Sequence, residues 1–356
     1  MAYVKGRGAT NNQASRRFGL PAHVSDSGWQ DQAALVDGAE PAATTTVTEL
    51  HPRTILSFNT SPDIFFDRSI NSFGGCEHGC IYCFARPTHA YHDLSPGLDF
   101  ETRLFAKPDA ARLLRQTLAK ANYRPRPIAL GTNTDPHQPI ENTYRITRAI
   151  LEVCLDARHP VTITTKSDRI LRDLDILQEM ARLRLVAVSI SVTSLNAKLS
   201  RMLEPRAASP AKRMAALGRI VEAGIQAHCS ISPVIPAITD EYLEAIVGQA
   251  GELGVQSAGW IPLRLPHEVA PLFREWLATH FPERADKVMN IVRSIRGGKD
   301  NDPGFFTRLR PSGVWADLFR ARFQLACRRA GIGKEKFTLD ISRFRKPEIG
   351  GQMRLL

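Results

Sequence analysis

Cys76, Cys80 and Cys83 lie in the segment Gly74-Gly75-Cys76-Glu77-His78-Gly79-Cys80-Ile81-Tyr82-Cys83-Phe84, separated by three residues and then by two. Thiolates at this spacing can occupy three corners of a cubane iron–sulfur cluster from a single loop. A site built only to carry electrons would supply a fourth ligand, yet the next cysteine is as distant as Cys154. One iron is therefore expected to stay open to a substrate or cofactor, which turns an electron carrier into a catalyst. Two plainer readings weigh less. A structural zinc site uses four ligands, and His78, held between two cysteines in a tight loop, is awkwardly placed to complete a tetrahedron. A disulfide framework is disfavoured because six cysteines in 356 residues, with no signal-like start, point to a reducing, cytoplasmic setting.

CxxxCxxC with an aromatic residue just before the third cysteine, here Tyr82, resembles the signature of the radical S-adenosylmethionine (SAM) enzymes. The longer stretch from Ser72 to Pro87, with its GGCxHGCxYCFARP wording, is similar to the branch that includes spore photoproduct lyase and its uncharacterised relatives. The resemblance implies a [4Fe–4S] cluster on Cys76, Cys80 and Cys83 and SAM chelated to the open iron. Reduction, by a donor such as flavodoxin or ferredoxin, then gives methionine and a 5′-deoxyadenosyl radical. It also implies that Tyr82 lies near the adenine. A hydroxyl residue after strand two, a lysine after strand three and a hydroxyl residue on strand four contact SAM in the lyase-like pattern. By position these become Thr134, Lys166 and Ser191. Glu204-Pro205-Arg206 also resembles the family, and its carboxylate is expected to bind there, to cap, or to pair with Arg201.

One departure is plain. The lyase carries a hydrogen-donating cysteine after strand two, whereas Leu130-Gly131-Thr132-Asn133-Thr134-Asp135 has none. Thr132 stands at the corresponding position, and its O–H bond is too strong to serve. Cys229, on a later strand, and Tyr91, shortly after the cysteine loop, are the catalytic candidates for hydrogen return and radical quenching. Against this, Cys229 also reads as a packed small core residue. His89, His92 and Tyr91 are expected near the substrate, and His137 as either a proton donor or a hydrogen-bonded structural histidine.

The elements needed to position these groups follow from periodicity. Ile128–Leu130, Val161–Thr165, Val186–Ser191 and Ala227–Ile231 read as strands, with a weaker one near 258–261. Amphipathic stretches near 109–121, 142–157, 168–182, 209–223 and 240–253 alternate with them. Alternation of this kind argues for a parallel sheet. The fold expected is α/β: a partial (β/α)6 TIM-like barrel over 53–263, preceded by a partly disordered, flexible arm over 1–52. A mostly helical, basic C-terminal extension follows over 264–356, with helices near 268–280, 284–296 and 313–330. In such a barrel the C-terminal strand ends share one face, where active sites are built, and the cysteine loop, Thr134, Lys166 and Ser191 all fall there.

Net charge is +11, and residues 305–356 carry 12 Lys/Arg against 4 Asp/Glu. Phe305, Phe306, Trp315, Phe319, Phe323, Phe337 and Phe344 are interleaved with those charges. They suit either a phosphate-binding, base-stacking surface or the core of a small unit with a solvated basic face. No run approaches a membrane span. The sequence leaves the substrate unnamed. A nucleic acid, DNA or RNA, is the leading expectation, in a lyase- or DNA-repair-like reaction. Modification of tRNA or protein, and a non-catalytic iron–sulfur nucleic-acid-binding protein, stand as alternatives.

Overall fold

The computed structural model describes residues 6–13, 15, 17, 44–333 and 337–348. Its main sheet contains six parallel strands in chain order: β1 (Arg68–Ile70), β2 (Ile128–Leu130), β3 (Val161–Thr165), β4 (Val186–Ser191), β5 (Gln226–Val234) and β6 (Ser257–Pro262). Parallel neighbours require crossovers, here α1 (Ala110–Ala119), α2 (Ile146–Asp156), α3 (Leu174–Arg182), α4 (Pro210–Glu222) and α5 (Leu243–Glu252). β1 is not paired with β6. Its free edge carries an antiparallel strand, Ser57–Phe58, so the barrel is partial and open.

Register explains the two faces. Ile70, Leu130, Ile163, Val188 and Ala227 form one row across the sheet, and all are buried in the helix-side core. The alternate row, Thr164, Ser189, His228 and Ser257, is polar throughout. Period-two alternation sends it to the inner face. That inner face leads up to the strand ends.

The helices expected near 268–280, 284–296 and 313–330 are present, whereas one element, a small second sheet, was not legible in the sequence. It joins Thr46–Glu49, Arg103–Ala106 and Phe73–Gly74, and the cysteine loop leaves directly from the last of these. Helices α6 (Val269–His280) and α7 (Ala285–Ser294) share a core cluster with Cys80, Ile81, Tyr82, Leu199 and Leu203. They form the wall behind the cysteine loop. Helix α8 (Val314–Arg329) packs on α5 and inserts Phe319 into the main core, where it meets Trp260.

The C-terminal segment crosses the opposite end of the barrel. Thr338 and Gln226 exchange hydrogen bonds, the Asp340 amide donates to the Arg184 carbonyl, and the Arg345 amide donates to the Ala157 carbonyl. Phe337 packs on His228, and Phe344 packs on Tyr123 and His159. These partners precede or begin β5, β4, β3 and β2, so the segment covers four N-terminal strand ends. Of the arm expected over 1–52 to be partly disordered, residues 1–5, 14, 16 and 18–43 lie outside the described residues. Among the described residues, no helix is long and apolar enough to cross a membrane.

Candidate active site

A pocket with about 1030 Å³ of empty space opens at the C-terminal ends of the strands. The cysteine loop supplies Cys76, Cys80 and Cys83, with His78 and Tyr82 beside them. Thr132 to Asp135 come from the turn after β2, Lys166 from the end of β3, and Ser191 from the end of β4. Ser230, Ser232 and Arg264 complete the circuit from β5 and the loop after β6.

The cysteine loop is fixed from behind by a buried ion pair. Arg86 and Glu101 meet at 2.5 Å with both side chains fully buried. Arg86 also donates to the carbonyls of Cys80 (2.9 Å) and Gly79 (3.2 Å), which places its charge at the end of the turn between the first and second thiols. Glu101 accepts from the amides of Gly8 (2.9 Å) and Ala9 (2.8 Å), strapping the N-terminal segment across the same turn. Only glycine fits there: a Cβ on Gly8 would stand 1.7 Å from the Gly79 carbonyl oxygen. Gly79 itself has φ +66, and a Cβ on it would meet Glu101 at 2.6 Å. Buried Gln138 adds a further brace: it accepts from the Glu77 amide (2.9 Å) and donates to the Gly75 carbonyl (3.2 Å).

Two further networks hold the polar wall. Asp135 accepts from the Thr165 hydroxyl and the Lys166 amide, each at 2.7 Å, and lies 3.4 Å from His78 Nδ1. It therefore ties the ends of β2 and β3 to the cysteine loop. Burial raises its pKa, but His78 and these donors outweigh that and hold the carboxyl well below the carboxylate range. Glu204 accepts from the Tyr82 hydroxyl, from Arg213 and from Thr193 (2.8 Å). Burial pushes its pKa up, whereas Arg213 and Lys166 pull it down to about 2. The ion-pair partner is thus Arg213, across a turn and a helix start, and not Arg201 on the adjacent exposed face.

This second network gives a stability prediction. Arg213→Met would leave Glu204 buried without its main counter-charge, a change worth about 3–5 kcal/mol, read as a lower midpoint in chemical denaturation. Glu204 has a folded pKa of about 2 against 4.5 for the ordinary group. It therefore stabilises the fold above pH 4.5 and loses that contribution as pH falls toward 2. Glu204→Gln should flatten this part of the pH–stability curve.

Comparison with known proteins fits this arrangement. A family profile described as the radical SAM superfamily matches residues 70–250. The chain belongs to the radical SAM superfamily. An uncharacterised protein of Mycobacterium tuberculosis is 35% identical over 230 residues, covering 64% of this chain and 68% of that protein. An uncharacterised protein of Methanocaldococcus jannaschii is 27% identical over 222 residues, covering 62% and 79%. Among solved structures, a variant of spore photoproduct lyase aligns with a TM-score of 0.57 at 15% identity over 82% of each chain. The same lyase complexed with dinucleoside spore photoproduct gives 0.54 over 82% of each chain. At this identity the likeness is one of fold, and the fold shared is the TIM-like one of radical SAM enzymes.

Membership implies an iron–sulfur cluster and SAM, and the residues present fit both. The three thiols line one pocket, and burial pushes each of them up in pKa. Buried thiols in that state are poor ligands until cations stabilise the thiolate. Lys166 and Arg213 act in that direction on Cys80, as do Arg86 and Lys166 on Cys83. Among the described residues no three Cys, His, Asp or Glu side chains gather around a single point as one ion would require. A cubane makes a different demand, one thiolate per iron at three separate corners.

The structure brings Tyr82, Thr134, Lys166 and Ser191 to the pocket with the three cysteines. It does not bring the two hydrogen-return candidates. Cys229 is fully buried in the helix-side core with Ala227 and Ile231, while Ser230 and Ser232 take the pocket face of β5. Tyr91 is 69% exposed, lies beneath the Arg17 guanidinium, and is not among the pocket-lining residues. His89 is buried against the Arg103 carbonyl, with its pKa lowered to about 4 by burial, and His92 rests on Phe105. His137 is buried on Asp173, away from the pocket. Sequence reasoning missed Arg86, Glu101, Gln138 and Arg264 as parts of the site.

Proposed function

We propose that this protein is a radical SAM enzyme that cleaves SAM reductively and abstracts hydrogen from a nucleic-acid substrate. The observation that carries the first half is the single pocket that joins three buried thiols to Tyr82, Thr134, Lys166 and Ser191. Cys76, Cys80 and Cys83 would hold a [4Fe–4S] cluster; when bound, it supplies the electron that cleaves SAM to methionine and a 5′-deoxyadenosyl radical. Lys166 offers a cation to the SAM carboxylate, while the hydroxyls of Thr134 and Ser191 offer hydrogen bonds to its polar groups. Thr134 is already oriented by donating to the Phe73 carbonyl at 3.0 Å, so its lone pairs are left for a donor on the ligand. Partial burial strengthens each of these contacts.

Support for the second half comes from fold and charge. The lyase that shares this fold has been solved with a dinucleoside photoproduct, and the chain is basic at +11. The basic C-terminal segment as a whole is not the substrate surface, because Phe337 and Phe344 pack at the far end of the barrel. Residues near Leu309, which lines the pocket, are the part of it that a substrate would meet.

Anaerobically reconstituted, reduced protein should convert SAM to 5′-deoxyadenosine, and Cys80→Ala should abolish this. A fully loaded protein that never cleaves SAM, with or without DNA or RNA, would sink the proposal. With the true substrate deuterated at the reacting carbon, deuterium should appear in the deoxyadenosine.

A further inference from the structure

Arg264, in the loop after β6, lines the pocket and stacks its guanidinium 5.9 Å from the centre of the Phe84 ring. Among the described residues it has no hydrogen-bond or ion-pair partner, and its Nε is buried without one. Its neighbours are all committed. Arg308 grips Asp63 through two nitrogens at 2.5 and 2.7 Å. Arg296 donates to the carbonyls of Leu263 (2.5 Å), Arg308 (3.3 Å) and Pro262 (3.4 Å), fixing the loop from which Arg264 projects. Lys166 donates to the Ser232 carbonyl at 3.2 Å.

The local charge also calls for an anion. Arg264 lies within electrostatic reach of both Arg296 and Arg308, and the carboxylates that act on it are Asp63 and Asp302. Burial first, then Arg308, lowers the pKa of Arg264, and these carboxylates offset that only in part. An uncompensated, half-buried guanidinium is relieved best by a planar or tetrahedral oxyanion, which its fork grips through two nitrogens.

Flat apolar surface lies beside this cation. Phe84 is 51% exposed. Phe305 carries the Arg308 guanidinium 5.0 Å from its ring centre, and the Phe306 amide donates to Asp63 at 3.0 Å. Leu309, four residues beyond Phe305, reaches the pocket lining. A free carboxylate would satisfy Arg264 and leave these rings bare. A nucleic-acid strand satisfies both, since every unit carries one anion and one flat ring.

We infer that Arg264 is the phosphate receptor at the pocket mouth, and that the substrate enters as a nucleotide unit of a strand with its base against Phe84. This rests on the nucleic-acid reading above and adds to it the residues that make the contact. The test measures binding of labelled single-stranded DNA and RNA oligonucleotides to the anaerobically purified holoprotein by fluorescence anisotropy across salt concentrations. SAM binding is followed in parallel. Arg264→Ala should weaken oligonucleotide binding about tenfold and reduce the log–log salt slope by about one. Arg264→Lys should restore the slope and only part of the affinity, and Phe84→Ala should weaken binding with the slope unchanged.

If the wild type binds oligonucleotides and Arg264→Ala binds them with the same affinity and slope, the receptor assignment fails while the nucleic-acid reading stands. If Arg264→Ala loses SAM binding and keeps oligonucleotide binding, Arg264 belongs to the SAM site and the assignment fails again. If the wild type binds no oligonucleotide at low salt, the nucleic-acid reading itself falls. Arg264-dependent binding of a labelled mononucleotide in that case would overturn the strand in favour of a free nucleotide.

Discussion

Glu101→Ala is expected to release the cluster loop and to cost about 3–5 kcal/mol of stability, because it leaves Arg86 buried without its counter-charge. Glu101 is the junction of two supports. It neutralises Arg86, which holds the Gly79 and Cys80 carbonyls, and it anchors the Gly8 and Ala9 amides that cover the same turn. With it gone, both the inner and the outer brace of the Cys76–Cys80 turn loosen together. Iron should then pass several-fold faster to a chelator in anaerobic competition. Global destabilisation alone could have the same effect, so a second variant separates them. Gly8→Val leaves the ion pair intact and drives a side chain against the Gly79 carbonyl, where a Cβ would already stand 1.7 Å away. It should show a smaller fall in denaturation midpoint with faster iron loss and an altered electron paramagnetic resonance line shape. Normal iron retention and line shape in Gly8→Val would show that the N-terminal strap only covers the loop and does not position it.

The catalytic core was legible because its strands announce themselves. Val161-Thr162-Ile163-Thr164-Thr165 is a β-branched alternating run that ends in Lys166. A parallel barrel then places such ends on one face without further information. The two misplaced candidates fail for specific reasons. Cys229 shares its parity on β5 with Ala227 and Ile231, and that apolar set had to face the helices. Read this way, the sequence already assigned Ser230 and Ser232 to the pocket and Cys229 to the core. Tyr91 follows the loop closely in sequence, but the turn of helix over Arg86–His92 carries it outward.

The supports of the site were hidden for another reason. Arg86 and Glu101, Gln138 and Gly75, and Glu204 and Arg213 are pairings set by tertiary packing, and no local period marks them. Glu204 shows how proximity misleads: Arg201 is nearer in sequence, yet its side chain faces outward while Arg213 is buried at the start of α4. Likewise, the alternation of basic and aromatic residues near the C-terminus read as one unit, either a binding surface or a small core with a basic face. The chain divides it among the pocket mouth, a helix on α5 and a segment over the opposite end of the barrel.

Lys166→Met should reduce 5′-deoxyadenosine formation by about two orders of magnitude, the scale seen when a preorganised charge or donor is removed from a reacting centre, while the fold persists. Persistence is expected because the structural bond at this position is made by the Lys166 amide, which donates to Asp135 at 2.7 Å and survives the substitution. The side chain does separate work. Its Nζ lies 3.2 Å from the Ser232 carbonyl, 3.9 Å from Glu204 and 5.9 Å from the centre of the Tyr82 ring. From there it is the cation within the pocket that acts on both Cys80 and Cys83. Two consequences follow from one lost charge. SAM should bind more weakly, because its carboxylate loses a partner. The midpoint potential of the loaded protein should become more negative, because a positive charge that favours the reduced state is gone. Lys166→Arg keeps the charge and should hold the potential near the wild-type value, with the SAM affinity reduced by the poorer fit of a fork at a point-charge position. A Lys166→Met protein with unchanged potential and unchanged SAM affinity would place the lysine outside the reaction, as a brace for Glu204 and Ser232 alone. Weak SAM binding at an unchanged potential would confine it to holding the cofactor.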